Sequence, residues 1–267
     1  METLFLKLGG SLITDKTQIE TIRADVLTRL AAEIAQARRE NSALRLVLGH
    51  GSGSFGHVAA AKRSTRQGVS DEADWRAFAA VSDTAARLNR QVLAALLAAD
   101  VPAVSLQPSA SVVCVDGRIQ TIASQPVQSA LEAGIVPVVY GDVAFDSVRG
   151  GTIVSTEEVM MALAVEIRPS WLLLAGETVG VYDQTGQVIP TINRANYAEI
   201  ETALGGSRGI DVTGGMASKV QSMLALVDHF PQLSIRIFSG LEPGNLVGTL
   251  LNPDSTRGTR LGLQPRG

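Results

Sequence analysis

Cysteine is almost absent from this chain: of 267 residues, only Cys114 carries a thiol. A single thiol excludes an internal disulfide and suits a reducing compartment. It stands in the apolar run Ser111-Val-Val-Cys-Val115, so the core is its expected place rather than a reaction. An excess of one charge is lacking too. With 23 Lys and Arg against 26 Asp and Glu, the net charge is −3, and no basic block marks a nucleic-acid face. No apolar run reaches bilayer-spanning length. Met1 to Leu12 has no basic start and runs straight into a glycine turn, which reads as a cytoplasmic protein without a leader or a membrane partner. Repeats and linker-like stretches are missing, which favours one domain. The phosphate loop of P-loop enzymes and the catalytic-loop signatures of protein kinases are missing as well.

What remains is 45% hydrophobic and 18% charged, enough to bury a full core. The chain is organised around Leu46-Val-Leu-Gly-His-Gly-Ser-Gly-Ser-Phe-Gly-His57. An apolar run, Leu44 to Leu48, predicts a strand that breaks at Gly49, followed by a loop with a histidine at each end. Only three histidines occur in the chain. Closely spaced glycines let backbone N–H groups turn toward an anion, so the loop reads as a phosphate cradle, with a tight structural turn as the plainer alternative. Gly51-Ser-Gly-Ser-Phe-Gly56 also matches the dinucleotide fingerprint, with Asp71 near the ribose-binding distance. Against that reading, its strand is not the first in the chain.

Thr3 to Leu8 predicts the first strand, ended by Gly9-Gly10-Ser11. Lys7 within it has two readings: the solvated face of an edge strand, or a strand-end cation that holds phosphate oxygens. Lys16 is a second such cation or a loop lysine. Apolar spacing predicts helices over Ile22–Glu40, Asp74–Ala98, Gln125–Ala133 and Met216–Phe230, and one starting at Ser155. Strands are predicted at Val101–Leu106, Ile135–Tyr140, Trp171–Leu174 and Ile235–Phe238, with hairpins around Asp116-Gly117 and Arg149-Gly150-Gly151. Strands alternating with helices predict a largely parallel sheet covered on both faces. In such sheets ligands sit outside the carboxyl ends of the strands. There Lys7, Lys16 and Lys219 would meet the glycine turns, a combination suited to phosphoryl transfer.

Lys7-Leu-Gly-Gly-Ser11, the strand and glycine loop at 46–57, Gly141-Asp142 and Asp211-Val-Thr-Gly-Gly-Met216 with Lys219 resemble the amino acid kinase family. His50-Gly-Ser-Gly-Ser-Phe-Gly-His57, Val104-Ser-Leu-Gln-Pro-Ser109 and Val136-Pro-Val-Val-Tyr-Gly-Asp142 are similar to its isopentenyl phosphate kinase branch. The resemblance implies an α/β fold, an αβα sandwich with a central, mainly parallel sheet. It implies an acceptor lobe over about 1–170 and a nucleotide lobe over about 171–267, usually in a homodimer. It also implies ATP as donor, used as Mg-ATP with no protein metal ligand assigned, and isopentenyl phosphate as acceptor, giving the diphosphate. Lys7, Lys16, His57 and Lys219 take the catalytic roles. Gly51, Ser52, Gly53, Ser54, Gly56, His57 and Gly141 hold the acceptor. Gly9, Gly10, Ser11, Asp142, Thr213, Gly214 and Gly215 join the three lysines around ATP. His57 has a second reading, as a cap of the following helix.

Two departures from the family pattern put glutamates where aspartates are usual: Glu157 in Ser155-Thr-Glu-Glu158 and Glu177 in Gly176-Glu-Thr-Val-Gly-Val181. They leave room for a rival on the same fold, either a fosfomycin kinase-like enzyme for another phosphate or phosphonate, or a non-catalytic binding protein. For the acceptor's apolar tail, one or two of Trp75, Phe78, Ala79 and Ser82 are expected to close a pocket, with plain core packing as the alternative.

Overall fold

The computed structural model describes residues 2–56, 65–205 and 215–262. In chain order these form β1 (Thr3–Leu8), α1 (Gly10–Ile13), α2 (Ala24–Glu40), β2 (Arg45–His50), α3 (Glu72–Ala98), β3 (Ala103–Ser105), β4 (Val112–Val115), β5 (Arg118–Ile122), α4 (Gln125–Glu132), β6 (Val136–Tyr140), β7 (Asp142–Asp146) and β8 (Gly150–Val154). There follow α5 (Thr156–Ile167), β9 (Trp171–Gly176), β10 (Thr191–Ile192), α6 (Arg194–Gly205), α7 (Gly215–His229), β11 (Ser234–Ser239), α8 (Asn245–Leu251) and β12 (Thr259–Leu261).

Eight strands make one sheet in the order β10-β12-β11-β9-β1-β2-β6-β3. Within it only β11 and β12 pair antiparallel. The expected mainly parallel α/β sandwich is the fold. Side chains alternate across the sheet with a period of two. Leu4, Leu6 and Leu8 of β1 pack under α2, α3 and α8, while Phe5 joins the core beneath α4, α5 and α7. Lys7 shares Phe5's face. Because β1 lies inside the sheet, the edge-strand reading of Lys7 is wrong: the side chain is 8% exposed and needs a partner.

A smaller sheet, β5-β4-β7-β8, stands beside the main one. The Asp116-Gly117 turn has positive φ at both residues, 49° and 76°, as a two-residue hairpin requires. The second hairpin turns two residues earlier than expected, at Ser147-Val148-Arg149, and Gly150-Gly151 begin β8. A Cβ on Gly150 would come within 2.4 Å of the Val69 carbonyl, so those glycines admit a crossing chain. Helix α3 starts two residues before its expected start because Asp71 caps it, accepting the Asp74 N–H at 2.8 Å. That cap gives Asp71 a local role in place of the dinucleotide reading. Ser155 caps α5 in a reciprocal capping box with Glu158. Cys114 is fully buried and its thiol is pushed up to about 11, first by burial and then by Asp146 and Glu158 nearby, which fits a core thiol.

Candidate active site

The strand register brings the glycine turns into one row. Leu8 pairs with His50 and Ala175, and His50 pairs with Tyr140. The next residue on each of these strands is a glycine: Gly9, Gly51, Gly141 and Gly176. They sit at the carboxyl edge of the parallel sheet, where ligands bind in such folds. A cavity of about 570 Å³ opens there.

Three lysines are in the cavity lining. Lys7 Nζ lies 2.6 Å from Glu157 Oε1, and Lys16 and Lys219 join them in the lining. Glu157 is in the first turn of α5, on the face of the sheet that Lys7 also occupies. Burial pushes its carboxyl up, but the Lys7 charge and hydrogen bond, with the Lys219 charge, outweigh this and hold it below the usual carboxylate range. Glutamate at this position therefore reaches Lys7 directly. Glu177 also lines the cavity and pairs with Arg23 at 2.9 Å.

The glycine loops do two jobs. Among the described residues, the N–H groups of Gly10, Ser11, Ser52 and Gly53 have no protein acceptor, and all four residues line the cavity. Open N–H donors beside lysines form an anion cradle. The same glycines also let the two loops touch. A Cβ on Gly10 would fall 2.2 Å from Gly53 N, one on Gly51 2.7 Å from Gly10 N, and one on Gly53 (φ +48°) 1.9 Å from Thr14 Oγ1. Cradle and tight turn are thus one structure. Gly49 belongs to neither: it lies within β2, and its missing Cβ makes room for Thr156 and Met160 of α5.

The lining also carries apolar side chains, among them Phe55, Val81, Ala85 and Ile153. The expected tail residues fall beside it instead. Phe78 is buried against Val69 and Val143, and Trp75 packs edge-on against it. Ala79 and Ser82 are not in the lining. From α3 it is Val81 and Ala85, four residues apart, that line the cavity.

Of the residues expected in the site, Lys7, Gly9, Gly10, Ser11, Lys16, Gly51, Ser52, Gly53, Gly56, Gly141, Asp142 and Lys219 line this cavity. Ser54 does not: its N–H donates to Thr14 Oγ1 at 2.9 Å and its hydroxyl meets Thr21, so it braces the loop from behind. Asp142 is 1% exposed and accepts the N–H groups of Ser109 and Val143 at 3.2 and 2.8 Å. Gly215 opens α7, while His57, Thr213 and Gly214 lie outside the described residues. His50 is at the end of β2 and 1% exposed rather than on the loop. Arg66 was missed; it lines the cavity and pairs with Glu158 at 2.6 Å, in a polar stretch with no periodicity to single it out.

Residues 2–239 match the amino acid kinase family. The isopentenyl phosphate kinase of Methanothermobacter thermautotrophicus is 35% identical over 97% of this chain and 98% of its own length. That of Haloferax volcanii is 39% identical over 85% of this chain and 89% of its own. A solved isopentenyl phosphate kinase structure superposes with a TM-score of 0.80 at 32% identity, covering 97% of this chain and 99% of the other. By these matches the chain belongs to the amino acid kinase family, in its isopentenyl phosphate kinase branch.

Proposed function

We propose that this chain transfers the γ-phosphoryl group of Mg-ATP to isopentenyl phosphate. The observation that carries the reading is a single cavity whose lining combines Lys7, Lys16, Lys219 and open N–H groups with the apolar side chains of Phe55, Val81, Ala85 and Ile153. A small apolar phosphate has both needs. An oxygen of the acceptor phosphate attacks the γ-phosphorus, the bond from that phosphorus to the β,γ-bridging oxygen breaks, and ADP leaves. The protein's task is to hold attacker and leaving group in line and to neutralise the spread charge.

In this reading Lys7, steadied by Glu157, faces the transferring group together with Lys219, and Lys16 closes the phosphate side from its loop. Ser52 and Gly53 hold the acceptor phosphate through their N–H groups, with His57 as a further donor. Gly9, Gly10 and Ser11, and Thr213, Gly214 and Gly215 from the other lobe, attend the nucleotide. Magnesium enters with the nucleotide, bridging its phosphates as part of the substrate. The chain works as one domain with an acceptor lobe over about 1–170 and a nucleotide lobe over about 171–267, as a cytoplasmic homodimer. The family resemblance supports the two lobes and the homodimer, and the reading of the sequence the single domain and the location. No described helix is long and apolar enough to cross a membrane.

The test is ADP release with Mg-ATP and a panel holding isopentenyl phosphate, short alkyl phosphates and fosfomycin. Isopentenyl phosphate is expected to give the highest kcat/KM. A higher value for the phosphonate overturns the substrate assignment, and no turnover with any acceptor overturns the enzyme.

A further inference from the structure

His50 has no part in the chemistry above, yet it lies directly beneath the acceptor-facing loop. Its Nδ1 is 3.3 Å from the Gly51 carbonyl oxygen, and a carbonyl only accepts, so Nδ1 carries the hydrogen. Its Nε2 is 3.1 Å from Asn89 Nδ2, an amide donor reaching from α3, so Nε2 is bare. Both contacts demand the same neutral tautomer. Tyr140 stacks on the ring, 5.5 Å between centroids and 8° from parallel, and fixes its plane. Burial, with help from the Lys7 charge and against the Gly51 hydrogen bond, draws the imidazole down to about 4, which keeps it neutral in the cell's pH range.

The consequence lies in the next peptide. The chain has no cis peptide among the described residues, so the Gly51 carbonyl and the Ser52 N–H point in opposite directions. Gly51, without a Cβ, leaves that peptide free to flip in the absence of a restraint. We propose that His50 and Asn89 are a positioning pair that pins the Gly51–Ser52 peptide, carbonyl inward, so that the Ser52 N–H is preset as a donor to the acceptor's phosphate. The identity of that phosphate rests on the function proposed above; the pinning does not.

The experiment uses the full chain. In 15N-labelled wild type, His50 is expected to show a protonated Nδ1 and a bare Nε2 by its imidazole nitrogen shifts; the opposite tautomer overturns the pair whatever the substrate. Two substitutions then separate pinning from packing. His50→Asn places an amide donor where Nδ1 was, whereas His50→Gln fills more of the ring's volume but reaches only toward Asn89. If the pair pins the peptide, the acceptor KM rises at least about tenfold in His50→Gln and stays within about threefold in His50→Asn, with the ATP KM moved less than about twofold in both. An acceptor KM unchanged in His50→Gln, or acceptor and ATP KM values rising together, overturns it. Should His50→Gln not fold, Asn89→Leu, which keeps the ring but frees its tautomer, is expected to raise the acceptor KM selectively, and no rise overturns the pair. Should wild type fail to use isopentenyl phosphate, the substrate reading falls and the probe becomes inorganic phosphate. A Ser52 amide shift on titration in wild type, lost in Asn89→Leu, upholds the pair, and no wild-type shift overturns it.

Discussion

Lys7 on β1 and His50 on β2 are both nearly sealed from solvent, 8% and 1% exposed, at neighbouring rungs of neighbouring strands. Lys7 answers burial with an opposite charge, Glu157 at 2.6 Å. His50 answers it by giving up charge, donating through Nδ1 to the Gly51 carbonyl and accepting at Nε2 from Asn89. Both solutions avoid an unpartnered buried polar group. They serve different ends. An ion pair at the cavity wall leaves a cation available to a passing phosphate, while a neutral ring beneath the loop sets where backbone donors point. Helix α5 joins the two corners: its Glu157 holds Lys7, and its Thr156 hydroxyl donates to the His50 carbonyl at 2.6 Å.

The sharpest way to break the comparison is to remove a cation. Lys7→Met and Lys219→Ala are each expected to cost about 2–4 kcal/mol of transition-state stabilisation, read as kcat/KM in the ADP-release assay. A folded variant with wild-type turnover removes that lysine from the reaction. The neutral corner is tested by pH instead. The His50 imidazole sits near 4 in the folded protein against an ordinary value of 6.5, so the unfolded chain binds the proton first. Stability from this group is complete above about pH 6.5 and is lost as pH falls toward 4, in all about 3 kcal/mol. The unfolding free energy of wild type minus that of His50→Gln should shrink by about that amount over this range. A constant difference means that His50 is not held neutral by the fold.

Smaller effects sharpen the charged corner. Glu157→Gln keeps the shape and removes the charge opposite Lys7, and is expected to lower stability by about 1–2 kcal/mol in urea titrations. Glu157→Asp shortens the arm and should cost about half as much, with a milder loss of kcat. If aspartate performs worse than glutamine, the longer arm is not what sets the contact. Among the apolar lining residues, Ala85→Leu is expected to weaken isopentenyl phosphate by about 1 kcal/mol in KM while sparing shorter alkyl phosphates. Equal weakening along the series detaches Ala85 from the tail.

Much of this protein was legible residue by residue. Apolar runs ended by glycine marked β1, β2, β6 and β9, because a strand buried on both faces needs continuous hydrophobic residues and its turn needs freedom from a Cβ. The lysines and glycine turns named a phosphate chemistry for the same local reasons. Helices α6 and α8 were not legible. The first has a weakly sided pattern behind its Asn193 cap, and the second, seven residues with Gly248 inside, buries nearly all its apolar residues and shows no period. Other matters were decided only by residues far apart in sequence. Whether Lys7 was at an edge depended on β9 arriving beside β1; its partner comes 150 positions later. Whether the glycines were cradle or turn depended on two loops meeting at Gly10 and Gly53. Which turn of α3 faced the cavity, and that Asn89 would reach His50, depended on how that helix rolled onto the sheet. Strand, turn and charge are written into neighbouring residues, but the partner of a buried group is set by packing, which no short window of sequence contains.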